Sequence, residues 1–284
     1  MLYNAALVLE GGAFRGQYTA GVCDTFLANH IEFSSVIGVS AGSLNGVNFV
    51  AKQYGRAANI NIDHRHDQDY ISMTRLFKHQ VINMNYLFED HGLSWQNFDE
   101  RAYIRSASHF TAVATKLQDG KKTLFTDLTG EKLKQVLIAS CSMPFMMDPA
   151  PTPDGLCLDG GIADSIPFDV AQEQGYDKIV VVRTRDISYR KKPSSRPVCQ
   201  LYRRYFKDYP QFAEAGILRP EVYNQQVAQI EHLRRTGQIF NISPQHPVKV
   251  GRVESNVKKI RKLYETGQQE ARQLLPSLID YLNA

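Results

Sequence analysis

Near the N-terminus one pattern occurs twice, and it constrains the fold more than any other feature of the chain. A short apolar run gives way to glycine and then to a helical spacing of apolar residues. Ala5-Ala6-Leu7-Val8-Leu9 stops at Glu10-Gly11-Gly12, and Gly16 to about Asn29 then places Tyr18, Val22, Cys23 and Phe26 at helical intervals. Val36-Ile37 stops at Gly38, and Ala41 to about Tyr54 places Leu44, Val47, Asn48 and Ala51 along one side. A helix lying between two successive strands returns the chain to the starting edge, so the strands run parallel. The expected class is α/β, with a mainly parallel sheet covered by helices.

Further along, Phe110–Lys116 and Lys122–Phe125 flank Asp119-Gly120, a signal for a tight hairpin. Thr129 is placed to cap a helix from about Glu131 to Ala139. Leu156-Cys157-Leu158 reads as a short strand entering Asp159-Gly160-Gly161, Pro167–Gln174 as a helix, and Lys178–Arg183 as a buried strand. Residues 55–105 are polar and irregular, and are expected to form short helices and loops as a lid or wall. Ser188–Pro197 is the best linker candidate. Beyond it are expected a helix over Pro220–Arg235, a strand over Gln238–Ile242 and a long amphipathic helix from about Ser255. These boundaries divide the chain into a catalytic unit, 1–187, and a basic C-terminal extension, 188–284, packed on it.

Composition excludes several classes. With 43% hydrophobic and 22% charged residues in 284, the chain has ample material for a core and is not a disordered polymer. No apolar run approaches the about 18 residues that would span a bilayer. The N-terminus lacks a basic segment ahead of its apolar run, and Cys23, Cys141, Cys157 and Cys199 are widely spaced without a CxxC pair. Both features lead to the expectation of a cytoplasmic protein with reduced thiols, at most peripheral to a membrane. The net charge of +4 hides an asymmetry: 19 Lys and Arg against 9 Asp and Glu in residues 183–284, and 14 against 20 before them. A solvated face, or docking onto the acidic half, accounts for this; transient contact with an anionic membrane surface stays open, and nucleic acid is not expected.

Three turns carry the chemistry. Glu10-Gly11-Gly12-Ala13-Phe14-Arg15-Gly16 sets backbone N–H groups at a strand end and a helix start, which makes an anion seat; nucleotide-binding loops use the same device. Gly38-Val39-Ser40-Ala41-Gly42 is a GxSxG sequence between strand and helix, where a strained turn exposes a serine hydroxyl and the following amide, Ala41, faces a tetrahedral oxyanion. Asp159-Gly160-Gly161 closes a third strand. A serine hydroxyl needs a base to remove its proton, and a carboxylate held at hydrogen-bond distance in a desolvated cleft serves as one; alone, the triplet is a common turn.

Together these stretches resemble the patatin-like lipid acyl hydrolases, in particular a bacterial cytoplasmic branch with an added C-terminal region. The family pattern is a glycine-rich loop with an arginine, a GxSxG elbow and a distal DGG or DGA. Ser140-Cys141-Ser142-Met143-Pro144-Phe145 is similar to the segment preceding that last motif, and the likeness covers roughly residues 5–185. The resemblance implies a three-layer fold with a central, mainly parallel sheet flanked by helices, plus a C-terminal helical extension. It implies a cofactor-free serine hydrolase of lipid acyl esters, of phospholipase A or lysophospholipase type. Ser40 would be the nucleophile, Asp159 the base, and Gly11, Gly12 and Ala13, with Ala41, the oxyanion donors. Arg15 would brace the loop or attract an anionic head group, with Gly16, Gly38, Gly42, Gly160 and Gly161 supporting the turns. Ala13 replaces the family's third glycine, and its methyl adds strain if φ is positive there.

Other readings of the same residues predict different chemistry. A triad would need His232 or His246 after the serine, as in α/β-hydrolases or a histidine-dependent acyltransferase or thioesterase. A dinucleotide-binding module would use Gly11–Gly16 for pyrophosphate and Glu32 for ribose, but Ala13 falls on a glycine position and the elbow is left unexplained; a lipid-binding protein without activity would need neither Ser40 nor Asp159. His64-Arg65-His66-Asp67 lacks a metal-ligand spacing and reads as solvated surface. Tyr202-Arg203-Arg204-Tyr205-Phe206-Lys207 interleaves aromatics with cations, as a membrane-facing helix or an amphipathic core helix does.

Overall fold

The computed structural model describes residues 1–67, 70, 81, 83–84 and 98–284. The doubled opening forms β1 (Leu2–Leu9), α1 (Gly16–Ala28), β2 (Glu32–Val39) and α2 (Ala41–Val50), with β1 and β2 parallel and Leu9 opposite Gly38. Then come α3 (Arg56–Asp63), α4 (Glu100–Ile104), the antiparallel hairpin β3 (His109–Lys116) and β4 (Lys122–Thr126), and α5 (Gly130–Cys141). The remainder is β5 (Ala150–Thr152), β6 (Gly155–Asp159), α6 (Phe168–Glu173), β7 (Ile179–Val182), α7 (Arg196–Tyr205), α8 (Pro210–Arg235), β8 (Ile239–Ile242) and α9 (Val257–Asn283). Much of the expected lid, residues 55–105, lies outside the described residues; α3 and α4 are its described helices.

The sheet order is β5-β6-β3-β2-β1-β7-β8, with β4 also paired to β3. The five strands β3, β2, β1, β7 and β8 are mutually parallel. From β1 the chain fills one side through β2 and β3, then returns to the other side for β7 and β8. Connections leaving the neighbours β1 and β7 therefore run in opposite directions, and a crevice opens at the carboxyl ends of these strands.

Alternation along each strand sorts the core into layers. Leu7 and Leu9 face a cluster built with α1, α2, α5 and α9, while Ala6 and Val8 face one built with α6 and α8. The contact of α9 with α1 is backbone to backbone: a methyl on Gly21 would lie 2.2 Å from the Tyr264 carbonyl oxygen, and one on Gly267 2.2 Å from that of Tyr18. Polar pairs flank it, Tyr18 donating to Glu270 at 2.8 Å and Tyr264 to Asp24 at 2.7 Å.

Several boundaries differ from the sequence reading. β2 extends back to Glu32 because the hydroxyls of Ser34 and Ser35 find partners in the Tyr3 carbonyl and Gln174. α7 begins inside the expected linker, with Pro197 in its first turn, where the missing N–H costs nothing. α8 starts at Pro210 and runs through Pro220, which forgoes one bond to the Gly216 carbonyl. Thr129 makes no side-chain cap; the Glu100 carboxylate accepts from Gly130 N–H instead, at 2.5 Å.

Candidate active site

Ser40 ends β2 and opens α2, with φ 55° and ψ −125°, a left-handed conformation that a serine holds only when its surroundings fix it. Gly42 must lack a side chain, because a methyl there would stand 2.2 Å from the Leu9 carbonyl oxygen. Gly38 is crowded in the same way against Gly42, at 2.5 Å. The turn is latched from α5: Ser40 N–H donates to Ser140 Oγ at 2.9 Å, and Ser140 donates to the Val113 carbonyl at 2.6 Å. Ser43 Oγ adds a bond to the Ser40 carbonyl at 2.7 Å.

Asp159 is the last residue of β6, fixed by Thr115 Oγ1 on its carbonyl at 2.9 Å and by its own N–H on the Ser142 carbonyl at 2.8 Å. Its Oδ2 accepts from Ser40 Oγ at 2.7 Å and its Oδ1 from Gly161 N–H at 2.8 Å. Both side chains are buried. The structure thus brings together two residues 119 positions apart in one hydrogen bond. Gly160 is crowded by the Val113 carbonyl, and Gly161 lies beside both Asp159 and Arg219.

The glycine loop leaves β1 and passes alongside: a methyl on Gly11 would sit 3.2 Å from Ser40 Cβ. Gly11 N–H is already engaged by the Ser165 carbonyl at 3.4 Å, whereas the amides of Gly12, Ala13 and Ala41 have no backbone acceptor among the described residues. Ala13 has φ 48°, so the strain anticipated for its methyl is present. The loop is tied to the end of β7, with Thr184 N–H on Glu10 Oε2 at 2.6 Å and Thr184 Oγ1 on the Gly11 carbonyl at 3.1 Å. Gly16 abuts Ala41 at the start of α1. Arg15 has a buried Nε without a partner, and burial together with Arg185 lowers its pKa to about 10.

Two cavities meet at Ser40. One, of about 90 Å³, is apolar and includes Phe14, Leu44, Val47, Ile60, Leu137 and Met143. The other, an open cleft of about 460 Å³, contains Ser40, Asp159, the glycine loop and several cations. No histidine is among the described residues lining either cavity, and His232 and His246 are exposed. Glu32, the residue a ribose would need, is paired with Lys52 at 2.8 Å at the start of β2, the end opposite the glycine loop. Cys141, beside the pair, is no rival nucleophile: burial, then the Asp159 carboxylate, push its thiol up far beyond neutrality.

Residues 7–171, which contain all three motifs, match the family model described as Patatin-like phospholipase. The chain belongs to the patatin-like phospholipase family. A second model, Domain of unknown function (DUF6363), matches residues 209–283. The chain is 30% identical over 184 residues to Uncharacterized protein YjjU of Escherichia coli (strain K12), covering 63% of this chain and 51% of that protein. It is 23% identical over 188 residues to Probable lipid hydrolase 463L of Invertebrate iridescent virus 6, covering 60% and 63%. The chain thus spans less than two thirds of either relative. Crystallographic VipD from Legionella pneumophila shares the fold, with a TM-score of 0.50 at 12% identity over 97% of this chain and 67% of that one.

Within this patatin-like frame, the motif reading missed Ser140, Thr115, Thr184, Lys191 and Arg219. Ser140 lies in the segment ahead of the DGG turn, but nothing near it in sequence marks Ser40 N–H as its partner. Arg219 Nε donates to the Gly161 carbonyl from α8, a contact made across the fold that leaves no local signal.

Proposed function

We propose that the chain hydrolyses carboxylic esters of lipids, as a phospholipase A or lysophospholipase, with Ser40 as nucleophile and Asp159 as base. The 2.7 Å contact between Ser40 Oγ and Asp159 Oδ2 carries the reading. Asp159 takes the hydroxyl proton as Oγ bonds to the acyl carbon, and the carbonyl becomes an oxyanion. Amides of Gly12, Ala13 and Ala41 meet that charge, at about 3–4 kcal/mol per donor. Asp159 passes its proton to the leaving alcohol as the ester bond breaks. Water then attacks the acyl-enzyme, giving its proton to Asp159, and the proton returns to Oγ as the fatty acid departs.

The apolar pocket at Ser40 suits an acyl chain, and the name of the viral relative points the same way. Exposed Val198, Leu201 and Tyr205 on α7, flanked by Arg203 and Arg204, suit contact with an anionic lipid surface at the mouth of the cleft. Four free thiols fit a cytoplasmic location, and among the described residues no helix is long and apolar enough to cross a membrane. The test is labelling with a fluorophosphonate and turnover of p-nitrophenyl butyrate: the wild-type chain reacts in both assays and Ser40→Ala in neither. An unreactive wild-type chain, or labelling that survives Ser40→Ala, refutes the assignment.

A further inference from the structure

The cleft on the far side of Ser40 from the apolar pocket is walled by Arg15, Arg185, Lys191, Lys192, Arg219 and Arg252. Two carboxylates share it, and both are engaged: Asp159 by Ser40 and Gly161, Glu10 by Thr184 N–H. Among the described residues, none of the six cations forms an ion pair. Lys191 Nζ lies 3.8 Å from the Tyr223 ring centroid and 3.4 Å from Ser165 Oγ, Arg185 stacks 4.4 Å from the Tyr189 centroid and donates to the Val248 carbonyl at 3.2 Å, and Arg15 Nε has no hydrogen-bond partner among the described residues. Burial, then Arg219, pulls Lys191 well below the usual lysine range; Arg252 and Arg15 add to it.

Gathering like charges in a partly desolvated cleft destabilises a fold unless an anion joins them. A monoanion leaves most of this charge unmatched. A phosphomonoester brings two charges and three acceptor oxygens, which suit converging guanidinium forks and an ammonium. Position adds the rest, because an ester held at Ser40 with its chain in the apolar pocket directs its alcohol portion into this cleft.

We infer that the cleft seats a phosphomonoester on the alcohol side of the scissile bond, so that the substrate class is an acyl ester of a phosphorylated alcohol. The inference rests on the hydrolase reading above. It gives residues 209–283, a domain without an assigned role, a share in substrate choice through Arg219, Tyr223 and Arg252.

The test compares kcat/KM for 1-oleoylglycerol 3-phosphate with that for 1-oleoylglycerol in the same neutral mixed micelles. A preference of about tenfold or more for the phosphate, shrinking as salt rises toward about 0.5 M, supports the inference. In Arg252→Gln, an exposed site where folding is secure, and in Lys191→Gln, the ratio of the two falls; an equal loss on both substrates overturns the role of that residue. Glycerol 3-phosphate and inorganic phosphate are then tested for raising the Tm of the Ser40→Ala chain. Stabilisation by both, with no preference between the two esters, identifies a free-anion site and overturns the head-group inference; neither stabilisation nor preference overturns it outright. Failure to cleave even p-nitrophenyl butyrate defeats the hydrolase reading instead, while the phosphate-induced Tm shift still reports on the cleft.

Discussion

Replacing Asp159 by Asn tests the dyad with almost no change of shape. Oδ1 accepts from Gly161 N–H at 2.8 Å, so an asparagine must place its oxygen there. Its NH2 then stands where Oδ2 now lies, 2.7 Å from Ser40 Oγ. An amide nitrogen donates to the hydroxyl and accepts nothing, so the serine proton has no base. Loss of a positioned general base lowers turnover about 10²–10⁴-fold, equivalent to about 3–5 kcal/mol at the transition state. Because each hydrogen bond keeps a partner, the Tm should stay within about 2 °C of wild type. The assay is kcat on p-nitrophenyl butyrate between pH 6 and 9, alongside thermal unfolding. Turnover within tenfold of wild type at unchanged Tm refutes the base assignment.

Ser140→Ala strands two buried groups, Ser40 N–H and the Val113 carbonyl, at about 1–3 kcal/mol each; urea unfolding should show that loss and turnover should fall with it, whereas an unchanged midpoint denies the latch. Ala13→Gly releases left-handed strain of about 1–2 kcal/mol and gives back about 0.4–1 kcal/mol through the looser unfolded chain, so a slightly raised Tm is expected, and a lowered one contradicts the strain argument. Lys191→Met should raise stability at neutral pH, because burial and neighbouring cations lower the lysine's pKa on folding, which costs the fold stability at every pH below the free lysine value. The wild-type chain recovers that stability as pH rises toward about 10.4, so the advantage of the variant shrinks over the same range; a pH-independent difference in denaturant unfolding would remove electrostatics as its cause.

That Ser40 and Asp159 meet was legible in the sequence because each sits at a strand end, where chemistry and turn geometry share the same few residues. GxSxG fixes an elbow locally: Gly38 and Gly42 are needed by the backbone whatever the rest of the chain does. The parallel opening was legible for the same reason, being written in consecutive residues. What escaped notice depends on contacts distant in sequence. Nothing local tells that Ser140 meets Ser40, that Glu100 caps α5 where Thr129 was expected to, or that α8 continues through Pro220. In that last case Tyr223, Val227 and Ile230 bury one face of the helix, and packing outweighs the hydrogen bond that proline forgoes.

The charge asymmetry was visible in the composition, but its meaning depends on direction. The sequence leaves three readings open: a solvated face, docking onto the acidic half, or transient contact with an anionic membrane surface. Arg203 and Arg234 conform to the first, as exposed residues paired to acids of their own region. Lys191 and Arg219 do not: they line the cleft and find an aromatic face, a serine hydroxyl and a carbonyl in place of carboxylates. Asp159 Oδ2, which lines the same cleft, is held by Ser40. A cation that bonded this oxygen would compete with the Ser40 hydroxyl for the carboxylate, so the hydrogen bond between the two side chains leaves the surrounding positive charge unmatched. An anion arriving with the substrate answers that charge without disturbing the pair. With the inferred substrate, the stability these cations cost the fold is recovered when the ester binds, and the same cations select what enters the cleft.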